Sequence, residues 1–431
     1  MRRLRLVLLS IGIAGASLAL ASCGGGGDGG GGGEATLDLT IGDSVPLSGG
    51  LADYGPPGDK AANVAVDQIN KAIKEAGVDH TVNLVTEDNC GGDDQQCAVQ
   101  AARKMVDSDN ASCIAGAWAS ADTLPTAESV AIPDGVLLIS PASTSDEITG
   151  LDDDGLVNRT SPPDSFQGPT LSKYLVEKAL NGAQGKTINI GARNDAYGTG
   201  LADTFSKAWE AAGGTIGKRV DYDIKLPNYD SEAQQIVSGN PDGIVIVDFP
   251  ETYNKVGPAL VRAGFDPNKT FVTDGLISGD LAASAGADAV NGLRGTAPGV
   301  PDGDPSEVAF NKLYEAAQPK NVDRQTFDAQ NFDAVMLCYL AAVAAGSTDG
   351  QDMADQVRDV SAPPGNKYTF QQLPEAIKAL ENGDDIDYQG ASGPIDMNDA
   401  GDATGGVYDL YDFKNGAPEA VDEIQVQKPT G

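Results

Sequence analysis

A single histidine, His80, occurs among 431 residues. Zinc sites need clustered His, Cys or Asp at ligand spacing, and a Ser-His-Asp triad needs a histidine beside its nucleophile, so both chemistries lack their parts. No G-x-S-x-G elbow presents a serine either. His80 opens a strand pattern and reads as structural. Basic residues are scarce: 29 Lys and Arg stand against 63 Asp and Glu, a formal charge of −34. Such a surface repels nucleic acid and anionic head groups. GAQGKT, residues 182–187, is no phosphate loop, because its glycines are too close together and a helix precedes it while a strand follows. Asp152-Asp153-Asp154 and Asp302-Gly303-Asp304 lack the full EF-hand pattern and read as solvated turns. The chain is expected to be no enzyme and to need no cofactor or metal.

The apolar run from Leu6 to Leu20 falls short of the roughly 20 residues of a membrane helix. With Arg2, Arg3 and Arg5 before it and small residues after it, the pattern is that of an export signal over residues 1–22. Leu20-Ala21-Ser22-Cys23 resembles the bacterial lipobox, which implies diacylglycerol on Cys23 and a protein anchored to the membrane outside the cytoplasm. Glycines from Gly24 to Gly33, interrupted by Asp28, form a tether that buries no core; residues 23–35 are the leash. Without the three signal arginines, 26 basic residues face 63 acidic ones, a charge of −37. Yet 40% of the chain is hydrophobic and periodic, so the acids mark a solvated face of a folded protein.

The roughly 395 residues beyond the tether exceed one core. Strand and helix patterns alternate: LDLTIGDSV, a helix through Ala61 to Ala76, TVNLVTED, a helix through Met105, SCIAGAW, a helix over Thr123 to Val130, and GVLLIS. Alternation of this kind implies a parallel sheet covered on both faces. NRTSPPDSFQGP, residues 158–169, breaks it, since Pro162, Pro163, Gly168 and Pro169 suit neither helix nor sheet. The alternation then restarts with TINIGA, KRVDYDI, DGIVIVDF and KTFVTDG. Three later helical patterns, centred on Val335, Val357 and Ile377, are expected to return to the first lobe. The reading is α/β, two Rossmann-like lobes with parallel sheets joined by a three-strand hinge. Lobe 1 takes residues 36–163 plus 298–405, and lobe 2 takes 164–297 plus 406–427.

Four cysteines remain in a compartment that permits disulfides. Cys90 and Cys97 flank one loop at a sheet edge and are expected to pair. Cys113 lies at the opposite edge, a helix of roughly 15 Å away, too far from Cys97 for a bridge. Cys338, within FDAVMLCYLAAVAAG, reads as a free buried thiol.

Polar groups recur where a strand ends and a helix begins, the edge at which open α/β sheets bind ligands. Ser120 and Thr144 follow strands of the first lobe, and Tyr197 and Asp274 follow strands of the second. Backbone N–H groups beside the first pair favour an anion, and the acid favours a cation, which together suit a zwitterion. Ser120 and Thr144 also suit plain N-caps, and Asp274 before Gly275 also suits a turn.

With their flanks, PLSGGLADYG, DQIN, TEDNC, IAGAWAS, ISPASTSDEIT, RTSPPDSFQGP, NDAYGTGLADTF, TDG and NFDAV, these residues resemble the bacterial solute-binding lipoproteins of the Leu/Ile/Val-binding family that feed ABC transporters. The resemblance implies the type I periplasmic-binding-protein fold, a monomer, an ABC permease as partner, and an amino acid or similar small polar solute as ligand. It places first-lobe contacts on Tyr54, Trp118, Ser120, Ala142 and Thr144, and second-lobe contacts on Tyr197, Phe249 and Asp274, with Phe327 near the rim. Ser120 and Thr144 would hold an α-carboxylate and Asp274 an α-ammonium. Phe249 stands where tyrosine is common, and Trp118 is bulkier than the usual leucine. A sensory receptor of the same fold, binding an amide or urea, is the alternative.

Overall fold

The structure, a computed structural model, describes residues 36–427 apart from residue 302. The expected signal, Cys23 and the glycine tether lie outside the described residues, as does Asp302 of the second acidic loop.

Five strands form the first sheet: β1 (Leu37–Val45), β2 (His80–Asp88), β3 (Cys113–Ala115), β4 (Leu137–Ser140) and β5 (Val157–Arg159), in the order β2-β1-β3-β4-β5 and all parallel. Every residue of β3, β4 and β5 is buried, as strands covered on both faces require. In the second sheet β6 (Thr187–Arg193), β7 (Thr215–Tyr222), β8 (Gly243–Val247), β9 (Thr270–Val272) and β10 (Arg294–Gly299) run parallel. A small three-stranded sheet, β11 (Asn366–Thr369), β12 (Ile386–Gly390) and β13 (Gly393–Pro394), follows.

The chain then returns to the second sheet with β14 (Gly405–Lys414) and β15 (Ala417–Gln427), giving the order β15-β14-β10-β9-β8-β6-β7. Both additions are antiparallel, so the expectation of wholly parallel sheets fails at this edge. The short Asn415-Gly416 turn permits only an antiparallel hairpin and so sets β15 against β14, while β14 runs antiparallel to β10 because the chain re-enters this sheet from the other lobe and not through a crossover helix. The chain thus passes between the sheets after β5, after β10 and after β13. The buried pair Arg159–Asp402 ties two of these passages together, with Arg159 Nε donating to Asp402 at 2.8 Å.

The helix Asp328–Ala345 is buried nearly throughout and lies in the first lobe's core beside β1 and β3. Its apolar composition reflects this position, and no single helix among the described residues is long and apolar enough to cross a membrane. Here the expected free thiol is corrected. Cys338 pairs with Cys113 at the start of β3, with Cα atoms 5.9 Å apart. Their separation of 225 residues hides the contact from any local pattern. Cys90 and Cys97 pair as expected, at 6.1 Å. His80 is buried between Tyr339, 2.9 Å from Nδ1, and Glu381, 3.3 Å from Nε2.

The break expected at residues 158–169 is also shorter than the sequence suggests. Helix Asp164–Tyr174 starts directly after Pro163 and contains both Gly168 and Pro169. Gly168 serves packing: a Cβ there would stand 2.4 Å from the Thr204 hydroxyl and 2.6 Å from the Phe205 nitrogen, so its absence lets two helices touch. Wide π turns over Leu175–Ala179 follow Pro169, and a similar wide turn, Ala127–Ala131, follows Pro125 in helix Ser120–Thr126.

Candidate functional site

The carboxyl ends of the two sheets close on a cavity of about 10 Å³. Tyr54, Trp118, Ser120 and Ala142 line it from the first sheet's side, and Tyr197, Phe249 and Asp274 from the second's. Leu51, Gly275 and Phe327 complete the lining. Thr144 is not part of it. Its hydroxyl is buried beside the Asp164 carboxyl, and its carbonyl accepts from Asp164 N at 2.7 Å.

Local structure explains each placement. Tyr54 precedes helix Gly55–Ala76, Trp118 lies in the loop after β3, and Ala142 follows β4. Ser120 is the first residue of its helix and Ala119 is the N-cap; Thr144 precedes Ser145, which caps Asp146–Thr149. The plain-cap alternative therefore fails for both. The Ser120 hydroxyl instead accepts from Ser145 N at 3.1 Å, bridging two strand-end loops. Tyr197 is the second residue of helix Ala196–Ala211, whose N-cap is Asp195, and Phe249 occupies the N-cap position of helix Pro250–Ala263. Asp274 begins a single turn of 3₁₀ helix.

Asp274 is 2% exposed and accepts from the Tyr197 hydroxyl at 2.8 Å. Burial pushes its carboxyl up to about 6, against the pull of hydrogen bonds from Tyr197 and Gln167. Burial, and then the field of Asp274, hold Asp164 well above the ordinary carboxylate range. Two acids thus share one dry region, an environment that attracts a cation. Tyr54 reaches across the cleft and donates to the Gly275 carbonyl at 3.1 Å, while Ser278 donates to Asp53 at 2.7 Å. Phe249 stacks on Tyr197 with ring centroids 5.0 Å apart.

Under Phe249 lies a charged cluster with no counterpart in the sequence reading. The Arg193 guanidinium sits 3.7 Å from the Phe249 ring centroid, pairs with Asp195, and comes within 3.8 Å of Asp93 on the opposite lobe. Burial raises Asp122 to about 8 and Asp248 to about 7, both against the pull of Arg193 and of hydrogen bonds. Asp93 is raised to about 6 by burial and by Glu251 across the cleft. No spacing rule finds this cluster, because its members follow separate strands of both sheets, β2, β3, β6 and β8. Leu51 and Asp164 stood inside quoted segments, SGGLADYG and SPPDSF, without a chemical mark of their own.

The family described as periplasmic binding protein matches residues 38–415. The chain belongs to that family. This binding protein is 29% identical over 328 residues to the leucine-, isoleucine-, valine-, threonine- and alanine-binding protein of Pseudomonas aeruginosa, covering 74% of this chain and 83% of that one. Its fold is that of the branched-chain amino acid transporter substrate-binding protein LivJ from Streptococcus pneumoniae, a structure in complex with isoleucine. The TM-score is 0.72 at 21% identity, covering 91% of this chain and 100% of that one. A solute-binding protein of an ABC transporter from R. palustris, in complex with 4-hydroxybenzoate, shares the fold at TM-score 0.71 and 16% identity, covering 92% and 98%. The sequence reading of type I periplasmic-binding-protein architecture and Leu/Ile/Val-type kinship agrees with these findings.

Proposed function

We propose that this protein is the receptor of an ABC importer, lipid-anchored through Cys23 outside the cytoplasm, and that it traps an amino acid or similar small polar solute between its lobes. The observation that carries the reading is the convergence of Tyr54, Trp118, Ser120 and Ala142 with Tyr197, Phe249 and Asp274 on one cavity. Ser120 would receive the solute's carboxylate and Asp274 its ammonium, a charge-assisted contact in a dry site. Thr144 would act from behind this wall. A space of about 10 Å³ holds at most one water, so a solute enters only when the lobes part. Opening breaks the Tyr54–Gly275 and Ser278–Asp53 bonds, and a solute touching both walls restores closure in their place. The closed monomer would then dock on its permease.

Asp274 argues for an amino acid over an aromatic acid such as the R. palustris ligand, because a lone carboxylate would face a buried acid on the cavity wall. A thermal-shift screen against amino acids, amides, ureas and benzoates tests this. At about 100 times Kd a ligand adds about 2.7 kcal/mol of stability. Shifts by amino acids alone are expected; shifts confined to uncharged or purely anionic solutes would overturn the reading.

A further inference from the structure

Trp118 is 1% exposed, and its indole Nε1–H has no hydrogen-bond partner among the described residues. Its ring is held in place. A Cβ built on Gly58 would stand 2.3 Å from Cζ2 and 2.7 Å from Cη2, so the benzene edge lies flush on helix Gly55–Ala76. Phe327 meets the ring edge to face, with centroids 6.5 Å apart. Turning the indole to find an acceptor would therefore displace backbone. The other polar groups of the cavity already have partners: Ser120 with Ser145, Tyr54 with Gly275, and Tyr197 with Thr273 and Asp274. A buried donor without an acceptor is unfavourable, and the solute is what reaches this wall.

We propose that Trp118 is a specificity-determining residue whose indole N–H donates to an oxygen on the solute's side chain. The protein therefore selects a compact amino acid bearing a hydroxyl or amide over its aliphatic isostere. This rests on the amino-acid reading above. Leu51, Ala142, Phe249 and Phe327 give the rest of the wall an apolar character, so the single N–H carries the discrimination.

Threonine and valine have nearly the same shape and differ by one hydroxyl, as asparagine and leucine differ by an amide. Calorimetric titration of the mature protein with each is expected to give about tenfold tighter binding of threonine than valine. In Trp118→Phe the ratio is expected to fall toward one, threonine losing about tenfold more affinity than valine. A merely structural role would weaken both solutes equally and keep the ratio, which overturns the proposal, as does valine binding as tightly as threonine to the wild type. Should the variant misfold, the wild type still decides by ¹⁵N NMR. The chain has only two tryptophans, and Trp209 Nε1 is already bonded to the Thr215 carbonyl at 3.2 Å. Threonine should shift the Trp118 indole proton downfield and valine should not; equal shifts overturn the proposal. If no amino acid binds at all, the amino-acid reading fails and this inference with it, whereas a valine preference overturns this inference alone.

Discussion

Replacing Asp274 by asparagine should move folding stability and ligand affinity in opposite directions at alkaline pH. The carboxyl titrates at about 6 in the folded protein against an ordinary 3.8, chiefly because it is buried. Between those values the folded protein keeps a proton that the unfolded chain releases, so stability falls as pH rises through that window, and the full cost stands above it. Two units correspond to about 3 kcal/mol. An asparagine side chain carries no such cost, although its amide loses one acceptor facing Tyr197 and Gln167, for about 1 kcal/mol. Relative to wild type, Asp274→Asn is therefore expected to be less stable by about 0.5 kcal/mol at pH 4 and more stable by about 2 kcal/mol at pH 8. Coupling to Asp164 acts in the same direction, since removing the Asp274 charge lets Asp164 ionise more readily. Urea unfolding of ligand-free protein at pH 4, 6 and 8 reads the stabilities. Calorimetry reads the affinity for an amino acid, expected to fall about 10- to 100-fold with the charge-assisted contact gone. A stability difference independent of pH, together with unchanged affinity, would refute the electrostatic argument and remove Asp274 from the site.

Two further outcomes follow from the same structure. The Cys113–Cys338 bridge closes a loop of 225 residues, worth about 5 kcal/mol by loop entropy against about 2 for Cys90–Cys97. Replacing both Cys113 and Cys338 by alanine should lower the melting temperature by about 5 °C, and non-reducing peptide mapping that found Cys338 as a free thiol would refute the pairing. In Arg193→Met, Asp122 and Asp248 lose their cation, so destabilisation of about 3 kcal/mol is expected at pH 8 and a smaller loss at pH 6, where both acids are largely protonated. Urea midpoints shifted equally at the two pH values would show that Arg193 acts through packing on Phe249 instead.

Legibility tracked the range of the forces involved. The strand patterns of both lobes and the Cys90–Cys97 bridge depend on residues within one or two elements, and they were readable. Seven of the eight candidate contacts meet at the cavity: Ser120, Tyr197 and Asp274 were marked by their place after a strand's carboxyl end, Tyr54, Trp118, Ala142 and Phe249 by the family resemblance, and parallel sheets bring such ends together. Thr144 illustrates the limit: it sits at the right edge, yet its hydroxyl is buried beside Asp164 behind the wall and does not line the cavity. Gly168 and Pro169 looked like breakers by propensity alone, but contact with Thr204 and Phe205 offsets a local cost of this size.

By itself, the sequence determined the architecture, the excess of acid, the absence of parts for zinc or triad chemistry, and which residues stand at strand ends. Periodicity and spacing are enough for these, since they act along the chain. Tertiary structure alone decided that Cys338 finds Cys113, that β14 adds antiparallel to β10 in the second sheet, that Arg193 lies beneath Phe249 among four aspartates, and that the Trp118 N–H is left without an acceptor among the described residues. The first two depend on packing inside a single lobe and the last two on burial where the lobes meet, and burial joins residues far apart in the chain.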